Sequence, residues 1–345
     1  MLRDTDKQIS NLYSRISMPT ILISAPYMLP LVERLRPLFD HYGLDLIIAP
    51  VQERLEEDQI LSFAGQFDGA LAGDDRYTAR ALSACAPRLK VISKWGTGID
   101  SIDSEECARL GIKVGRTPNA FTLPVADTVL GYMLAFARRQ PWMDRDMKDG
   151  VWNKLPARSL SECSLGVVGV GRIGKAVIRR ARAFGMRLLG NDIIEIDPDF
   201  IAENRLEMTD LKDLLAQADF VSLNCDLNPT SYHLMDARRL ACMRPEAVLI
   251  NAARGPIVDE PALVEALQSG KIAGAALDVF EHEPLPSDSP LRHMGNVMLA
   301  PHNANSSPSA WKRVHWNTLR NLFEGLGIPV DEEFEGFRRL ITGGE

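Results

Sequence analysis

The stretch LGVVGVGRIGKAV, residues 165–177, decides the fold of this chain. It contains the spacing Gly169-x-Gly171-x-x-Gly174, which by itself is weak evidence because glycine is common. An apolar run precedes these glycines, and an amphipathic helical pattern over 172–184 follows them. This order predicts a strand, a tight glycine turn and a helix, as in a doubly wound α/β domain.

The three glycines and the acid that follows them suit a dinucleotide. The first glycine permits the tight turn, the second lets backbone N–H groups approach a pyrophosphate, and the third allows the helix to pack closely on the strand. The N-terminus of the helix adds unpaired N–H donors and the positive end of the helix dipole. Asp192 ends the next apolar run, where its carboxylate can accept from both ribose hydroxyls and repel a 2′-phosphate. The pattern favours an NAD site over a purely structural glycine turn.

Composition indicates a soluble globular protein of about two domains. The chain has 345 residues, 46% of them hydrophobic and 25% charged, which is enough apolar material for two sizeable cores. The formal net charge of −7 argues against a nucleic acid or an anionic membrane as the main partner. A small anionic substrate stays open, because a local pocket can be positive on an acidic protein.

The cysteines and the N-terminal residues suggest a reducing compartment. The five cysteines are odd in number and form no C-x-x-C pair, so the sequence indicates neither a disulfide framework nor a zinc knuckle. The first 18 or so residues are too polar for a signal peptide and are predicted to be a short polar extension. No uninterrupted apolar run is long enough to cross a membrane. We therefore expect a cytoplasmic location.

Outward from the glycine turn, short apolar runs alternate with helical patterns. Before the turn, strands are predicted at 20–25, 45–49, 69–73, 89–95 and 113–115. From the turn onward, strands are predicted at 164–170, 186–192, 219–225, 247–251, 273–280 and 296–301. Helices are predicted at 29–43, 122–140, 172–184, 209–217, 236–242 and 259–269, with a last one beginning in the stretch SSPSAW. Apolar runs separated by helices are typical of parallel strands covered on both faces, so we predict two doubly wound α/β domains.

Polar side chains follow three strands that come after the glycine turn. Arg254 lies just past the strand at 247–251, and His302 lies just past the last strand. Asp278 falls late in the strand between them, with the acids of 281–283 just beyond it. Ligands of open α/β sheets bind beyond the carboxyl ends of the strands. We therefore expect an arginine, a carboxylate and a histidine to converge beside the dinucleotide.

These residue types suit the interconversion of a 2-hydroxy acid and a 2-oxo acid. Arg254 can bind a carboxylate through two parallel hydrogen bonds, and His302 can exchange the hydroxyl proton as hydride moves. A carboxylate at the far imidazole nitrogen would hold the tautomer and stabilise the imidazolium. The alternatives are a surface arginine and a structural histidine. We predict no metal site, because His282 and its flanking acids, Glu281 and Glu283, alternate in direction and cannot easily share one ion.

Seven stretches together resemble the D-isomer-specific 2-hydroxyacid dehydrogenase family, over roughly residues 45–320. They are KWGTGIDSID (94–103), PVADTVLGYMLAFAR (124–138), DGVW (149–152), the glycine turn, INAARGPIVDE (250–260), ALDVFEHEP (276–284) and APHNA (300–304). The resemblance implies that Arg254, Glu283 and His302 are the catalytic group, Glu283 being the acid before the proline. Glu281 and His282 are then expected to form a solvated turn.

The resemblance also implies the residues that contact cofactor and substrate. Besides Gly169, Gly171 and Gly174, the implied contacts to NAD are Thr97, Arg172, Ile173, Asp192, Cys225, Ala252 and Asp278, the last toward the nicotinamide amide. Cys225 is interpreted as a small group on the cofactor side and not as a nucleophile. The implied contacts to substrate are Lys94, Gly96, Thr97, Gly98 and Arg254.

The family architecture implies that the glycine-turn domain is inserted in the other domain. Residues 1–118 plus 308–345 would form a flavodoxin-like substrate domain, and residues 119–307 an inserted Rossmann NAD-binding domain. The helical stretch 122–140 resembles the family's dimerisation arm, which implies a homodimer; the alternative is a buried helix between domains. The C-terminal stretch FRRLITGGE (337–345) is interpreted as a tail only.

The leading functional interpretation is an NAD-dependent dehydrogenase of a D-2-hydroxy acid. An alternative with the same chemistry is D-3-phosphoglycerate dehydrogenase. In the loop AGDDRYT (72–78), however, Asp74 and Asp75 stand where relatives acting on phosphorylated substrates often carry an arginine. The loop thus favours a small unphosphorylated acid. An alternative of another class is an NAD(H)-sensing, corepressor-like binding protein, although such a sensor would not need the acid/base residues.

Overall fold

The structure is a computed structural model that describes residues 18–342. Apart from Met18, the predicted polar extension lies outside the described residues. The chain divides into two compact units, Met1–Ala120 with Pro308–Glu345, and Phe121–Ser307. Within the described ranges, no helix is both long and apolar enough to span a membrane.

The strands follow one another along both units, and each is short. In chain order they are β1 Thr20–Ile23, β2 Asp45–Ile48, β3 Gly69–Ala72, β4 Val91–Lys94, β5 Lys113–Gly115, β6 Ser164–Val168, β7 Arg187–Asn191, β8 Leu206–Met208, β9 Phe220–Leu223, β10 Val248–Asn251, β11 Gly274–Leu277 and β12 Val297–Leu299.

The α-helices separate most of these strands. In chain order they are α1 Val32–His41, α2 Glu57–Ser62, α3 Ala79–Cys85, α4 Ser104–Leu110, α5 Thr122–Ala137, α6 Gln140–Lys148, α7 Arg172–Ala183, α8 Pro198–Asn204, α9 Leu211–Gln217, α10 Ala237–Leu240, α11 Glu260–Gln268, α12 Pro308–Leu326, α13 Glu332–Gly336 and α14 Arg339–Thr342.

The first unit is built on a parallel five-stranded sheet. Its strand order is β2-β1-β3-β4-β5, which is the order of flavodoxin-like folds. Strands β3 and β4 are buried at every residue, as parallel strands covered on both faces require. Helix α12 packs against β3, β4 and β5, although it follows them by about two hundred residues of chain. The end of the chain thus completes the domain with which the chain begins.

The second unit is built on a parallel seven-stranded sheet. Its order is β12-β11-β10-β9-β6-β7-β8, and β9 pairs with β6 in parallel. Strand order reverses between β6 and β9, which is the switch point where α/β sheets bind ligands. Both parallel sheets have the doubly wound order, so the predicted fold class, a flavodoxin-like and a Rossmann domain, is confirmed.

Strand β8 and the C-terminal segment are two places where the fold differs from the expectation. Strand β8, Leu206–Met208, extends the edge of the larger sheet, where the sequence predicts no strand. The C-terminal stretch predicted as a mere tail includes α14, whose Ile341 is 4% exposed. Just before it, Phe334 of α13 is fully buried against Trp316 and Phe323. The described end of the chain is therefore part of the core of the first unit, because its aromatic and aliphatic side chains cover α12.

Helix α5 is largely buried within the second unit. It packs against α7 and β10, and side chains such as Val129 and Met133 are fully covered. Asp127 on its surface forms an ion pair with Arg180 of α7, with Oδ1 and Nε 2.6 Å apart. The apolar faces of this helix are thus mostly used inside its own unit.

Candidate active site

The glycine turn after β6 has the geometry that a pyrophosphate site requires. Gly169 has a φ of +90°, and a Cβ there would lie 2.6 Å from the backbone nitrogen of Cys225. A Cβ on Gly174 would collide with the carbonyl oxygen of Gly169. By contrast, a Cβ on Gly171 would meet no described atom within 4 Å. The first and third glycines therefore permit close packing of the chain, whereas the second faces open space at the N-terminus of α7.

Asp192 lies directly beside this turn, as the sequence predicts for a ribose-binding acid. Its Oδ2 accepts a hydrogen bond from the N–H of Val170 at 2.6 Å, and its Oδ1 accepts from the N–H of Ile194 at 3.2 Å. Each carboxylate oxygen has a further lone-pair direction with which it can accept a ribose hydroxyl. The turn and this acid fit the adenosine and pyrophosphate parts of NAD.

Cys225 follows β9 and packs against the glycine turn from the other side. The N–H of Asn224 donates to the carbonyl of Val168 at 2.7 Å, which holds this loop close to the end of β6. Burial raises the pKa of the Cys225 thiol to about 11. The thiol is neutral near pH 7, so Cys225 is unsuited to act as a nucleophile.

The other predicted NAD contacts lie in both units. Arg172 and Ile173 open the first turn of α7, and Ala252 follows β10. Thr97 lies in the first unit, where its hydroxyl donates to the carbonyl of Thr117 at 2.8 Å. The contacts of these four residues to NAD stay predictions.

His302 and Glu283 form a histidine–carboxylate pair at the carboxyl ends of β11 and β12. Nδ1 of His302 lies 3.0 Å from Oε2 of Glu283, and the two side chains are 19% and 13% exposed. The other oxygen of Glu283 accepts from the N–H of Phe280 at 3.0 Å, which fixes the carboxylate. The pairing assigns the proton between them to Nδ1, so that Nε2 is the ring nitrogen suited to exchange a proton with substrate.

Asp278 holds the turn that carries His302. The side chain of Asp278 is buried, and its two oxygens accept from the N–H groups of Asn303 and Ala304 at 2.9 and 2.8 Å. Its backbone carbonyl accepts from the N–H of His302 at 2.7 Å. Burial raises the pKa of Asp278, and the two N–H bonds and His302 oppose that rise. His302 has a φ of +50°, and these bonds keep it in that uncommon backbone conformation.

Arg254 follows β10 on the neighbouring strand end. The side-chain amide of Asn251 donates to the carbonyl of Arg254 at 2.9 Å, and its oxygen accepts from the N–H of Ala253 at 3.1 Å. A Cβ on Gly255 would collide with the backbone of Phe280. The loops after β10 and β11 are therefore packed together, and Arg254 and Glu283 lie on adjacent loops. The structure thus brings the predicted arginine, acid and histidine to one edge of the sheet.

Glu281 is more than the solvated bystander that the sequence suggests. Its Oε1 pairs with Nε2 of His233, and its N–H donates to Oε2 of Glu260 at 3.2 Å. His282, between the two acids of the loop, is exposed as expected. The pair connects the loop after β11 with the loop after β9. The sequence does not predict the pairing of Glu281 with His233. The one sequence feature that points to it is that His233 follows a strand whose carboxyl end lies at the same edge of the sheet.

The substrate-binding stretch predicted in the first unit begins at the end of β4. Lys94 is buried, and its Nζ lies 3.1 Å from Oδ1 of Asp74. Gly96 has a φ of +125°, and its carbonyl accepts from the N–H of Thr117 at 2.8 Å. Gly98 follows in the same loop. The positive φ at Gly96 requires glycine, because a side chain there would be strained.

An aromatic cluster supports this stretch from within the first unit. The rings of Tyr27 and Trp95 stack with centroids 4.3 Å apart, and the ring of Trp311 lies 5.0 Å from that of Tyr27. Nε1 of Trp95 donates to Nδ1 of His315 at 2.9 Å. Burial lowers the pKa of His315 to about 4, so the imidazole is neutral near pH 7 and can accept this bond.

Known proteins with similar sequences and structures identify the family. A model of the NAD-binding domain of D-isomer specific 2-hydroxyacid dehydrogenases matches residues 130–304. A glyoxylate reductase of Thermofilum pendens is 43% identical over 259 residues, which cover 73% of this chain and 76% of that protein. A D-3-phosphoglycerate dehydrogenase of Methanocaldococcus jannaschii is 38% identical over 262 residues, which cover 75% of this chain and 49% of that protein.

Among solved structures, D-lactate dehydrogenase from Aquifex aeolicus, in complex with NAD and lactic acid, matches with a TM-score of 0.75 at 27% identity. The match covers 94% of this chain and 98% of that one. These similarities confirm the predicted enzyme class and the predicted cofactor, NAD. The chain belongs to the D-isomer-specific 2-hydroxyacid dehydrogenase family of NAD-dependent oxidoreductases.

Proposed function

We propose that this protein reduces a small, unphosphorylated 2-oxo acid to the D-2-hydroxy acid with NADH, and catalyses the reverse reaction with NAD. The observation that carries the proposal is the His302–Glu283 pair, with Nδ1 and Oε2 3.0 Å apart, at the edge of the sheet that bears the glycine turn. The name of the Thermofilum relative, glyoxylate reductase, supports a small 2-oxo acid as substrate. Glyoxylate and hydroxypyruvate are therefore the first substrates to test.

His302 is the acid and base of the proposed reaction. In reduction, its Nε2 donates a proton to the carbonyl oxygen of the substrate as C2 is reduced, and in oxidation it takes that proton back. Glu283 stabilises the imidazolium through Nδ1 and keeps the ring in place. NADH supplies the hydride, so the protein itself has to provide only the proton, the orientation and the charge stabilisation.

Arg254 binds the carboxylate of the substrate. A guanidinium forms two parallel hydrogen bonds with a carboxylate, which fixes the direction of the adjoining carbonyl as well as its distance. Asn251 and Gly255 support this role, because they fix the loop that carries Arg254 against the loop of Glu283. Asp278 keeps His302 in its turn, and we retain its contact with the nicotinamide amide as a proposal.

The first unit, including residues 1–118 and 308–345, is proposed to be the substrate domain. There Lys94, Gly96, Thr97 and Gly98 contribute to substrate binding, mainly through the backbone of the loop after β4. The second unit holds the NAD-binding domain, for which we propose the boundaries 119–307. Apart from Thr97, which belongs to the first unit, the cofactor residues predicted from the sequence lie in this second unit, at strand ends or in the first turn of α7.

A homodimer in the cytoplasm is also proposed. Three apolar side chains after α5 are exposed to solvent, namely Met147 by 53%, Val151 by 49% and Trp152 by 79%. These side chains lie within six residues of chain, and contiguous exposed apolar patches are a feature of surfaces that bind another chain. Since α5 is buried in its own unit, this segment offers more apolar surface to a second copy than the helix does. Sedimentation equilibrium of the wild type and of Trp152→Ser tests the dimer.

The proposed activity is tested by following NADH oxidation with glyoxylate, hydroxypyruvate, pyruvate and 3-phosphohydroxypyruvate. We expect turnover of at least one unphosphorylated acid, with a kcat/KM above that for the phosphorylated acid. Absence of turnover with every acid, in a preparation that binds NADH, would contradict the proposal. A preference for 3-phosphohydroxypyruvate would instead favour D-3-phosphoglycerate dehydrogenase.

A further inference from the structure

The carboxyl ends of β3 and β4 bring a buried lysine and two aspartates together in the first unit. Lys94 is the last residue of β4 and is 4% exposed. Its Nζ lies 3.1 Å from Oδ1 of Asp74 and donates to the carbonyl of Trp95 at 3.0 Å. The ammonium is therefore held against the backbone of the residue before Gly96.

Asp75, next to Asp74 in the chain, has a structural role in the first unit. It is fully buried, and its carboxylate accepts from the hydroxyl of Ser24 at 2.5 Å and from the N–H groups of Leu55 and Gly73 at 2.7 and 3.2 Å. Burial raises the pKa of Asp75, and the ammonium of Lys94 opposes that rise. The ammonium thus has one carboxylate in direct contact and a second one nearby.

The charges of these three side chains determine whether a negatively charged ligand group is attracted or repelled at this edge of the sheet. A lone buried ammonium would attract a second negative group of a ligand, such as a phosphate. The contact with Asp74 neutralises it, and two of its three N–H donors are directed at Asp74 and Trp95. An incoming phosphate would meet a neutral or negative cluster, and like charges brought together are strongly unfavourable.

We propose that Asp74 is a selectivity residue that excludes 2-oxo acids with a second negative charge, by neutralising Lys94. The inference rests on the proposed function, because it takes the loop after β4 as part of the substrate site. It defines the substrate class as monoanionic 2-oxo acids. Asp75 supports the loop, whereas Asp74, whose side chain is 28% exposed, sets the charge that the substrate meets.

Asp74→Asn tests the inference, because it removes the charge and keeps the size of the side chain. Hydroxypyruvate and 3-phosphohydroxypyruvate differ only by the phosphate, so the ratio of their kcat/KM values measures the selectivity. We expect Asp74→Asn to shift this ratio toward the phosphorylated acid by about tenfold or more, since a single charge contact is worth at least that factor. The double variant Asp74→Asn with Lys94→Met should lose the shift.

Asp58→Asn is the matched control, because it removes one negative charge from the same unit at a side chain that is 88% exposed. This variant should keep the wild-type ratio. Asp74→Ser, measured in parallel, removes the same charge with a smaller side chain in case the asparagine variant is unstable. An unchanged ratio in folded Asp74 variants would overturn the inference.

A second readout does not depend on turnover. Inorganic phosphate, compared with chloride at equal ionic strength, should raise the Tm of Asp74→Asn but not that of the wild type, of Asp58→Asn or of the double variant. Absence of a phosphate-dependent rise in Asp74→Asn would also contradict the inference. If the wild type reduces none of the acids while Asp74→Asn binds phosphate, the proposed function fails and the neutralising role of Asp74 stands. If the wild type reduces hydroxypyruvate and neither readout changes, the inference alone fails.

Discussion

Replacing Glu283 by glutamine removes the negative charge beside His302 and keeps the shape of the side chain. In the structure the two groups are 3.0 Å apart and largely shielded from water, at 19% and 13% exposure. Hydrogen bonds to charged groups contribute about 1.5–3 kcal/mol. A free energy of this size corresponds to a shift of roughly one to two units in the pH at which a group loses its proton. Glutamine can still accept a hydrogen bond from Nδ1, but it carries no charge, so the imidazolium of His302 should lose the charge-dependent part of that stabilisation.

The expected result has a definite sign. Reduction needs protonated His302, so its rate falls as pH rises and the imidazolium is lost. In Glu283→Gln this alkaline limb of kcat/KM should move to lower pH by about one to two units. At a pH above the limb, reduction should be about 10- to 100-fold slower than in the wild type.

The assay is NADH oxidation over a series of pH values with a substrate that the wild type reduces. Glu281→Gln is the matched control, since it removes a carboxylate two residues away that pairs with His233 and not with His302. Its alkaline limb should stay in place. If the limb of Glu283→Gln coincides with that of the wild type, Glu283 does not stabilise the imidazolium and the assigned role is wrong.

Four further substitutions have distinct expected outcomes. Gly174→Ala should lower the Tm, because its Cβ collides with the backbone of Gly169, whereas Gly171→Ala should keep the Tm and weaken NADH binding in a fluorescence titration. Asp192→Ala should shift the kcat/KM ratio toward NADPH; an unchanged preference would remove the argument for NAD. The buried imidazole of His315 has a pKa of about 4 against 6.5 when free, so the unfolded chain binds its proton more tightly. Stability should fall as pH drops from about 6.5 to about 4, and in denaturant titrations His315→Gln should show a weaker fall over that window.

The sequence predicts most of the fold because parallel strands buried on both faces are continuous apolar runs. Strand β8 escapes this pattern, since its three residues, Leu206–Met208, include a glutamate and lie at the sheet edge. Helices α2, α3 and α4, of six or seven residues each, are not predicted individually, although α9 of the same length is. Few repeats of the helical period fit in so short a segment, so the pattern is weak in all of them. The buried C-terminal segment depends on tertiary packing of Phe334 and Ile341, which no local pattern reveals.

The sequence predicts some residues of the candidate site from their positions and others only from the resemblance to the family. Arg254 and His302 follow strands directly, so the rule for strand ends is enough to bring them together. The carboxylate that pairs with His302 is harder to predict from position alone. The loop after β11 carries both Glu281 and Glu283, and the direction of each side chain depends on the loop backbone. Only the resemblance to the family selects Glu283. The partner of Glu281, His233, lies 48 residues away, and nothing local indicates that pairing.

The most direct test of the proposed role of the histidine–carboxylate pair is His302→Ala, with turnover and NADH affinity measured on the same preparation. Loss of an acid/base group slows the chemical step by about 10²- to 10⁴-fold. The glycine turn and Asp192 are unchanged in this variant, so NADH affinity should stay within a few-fold of the wild type. Reduction of a 2-oxo acid by His302→Ala at the wild-type rate would contradict the account.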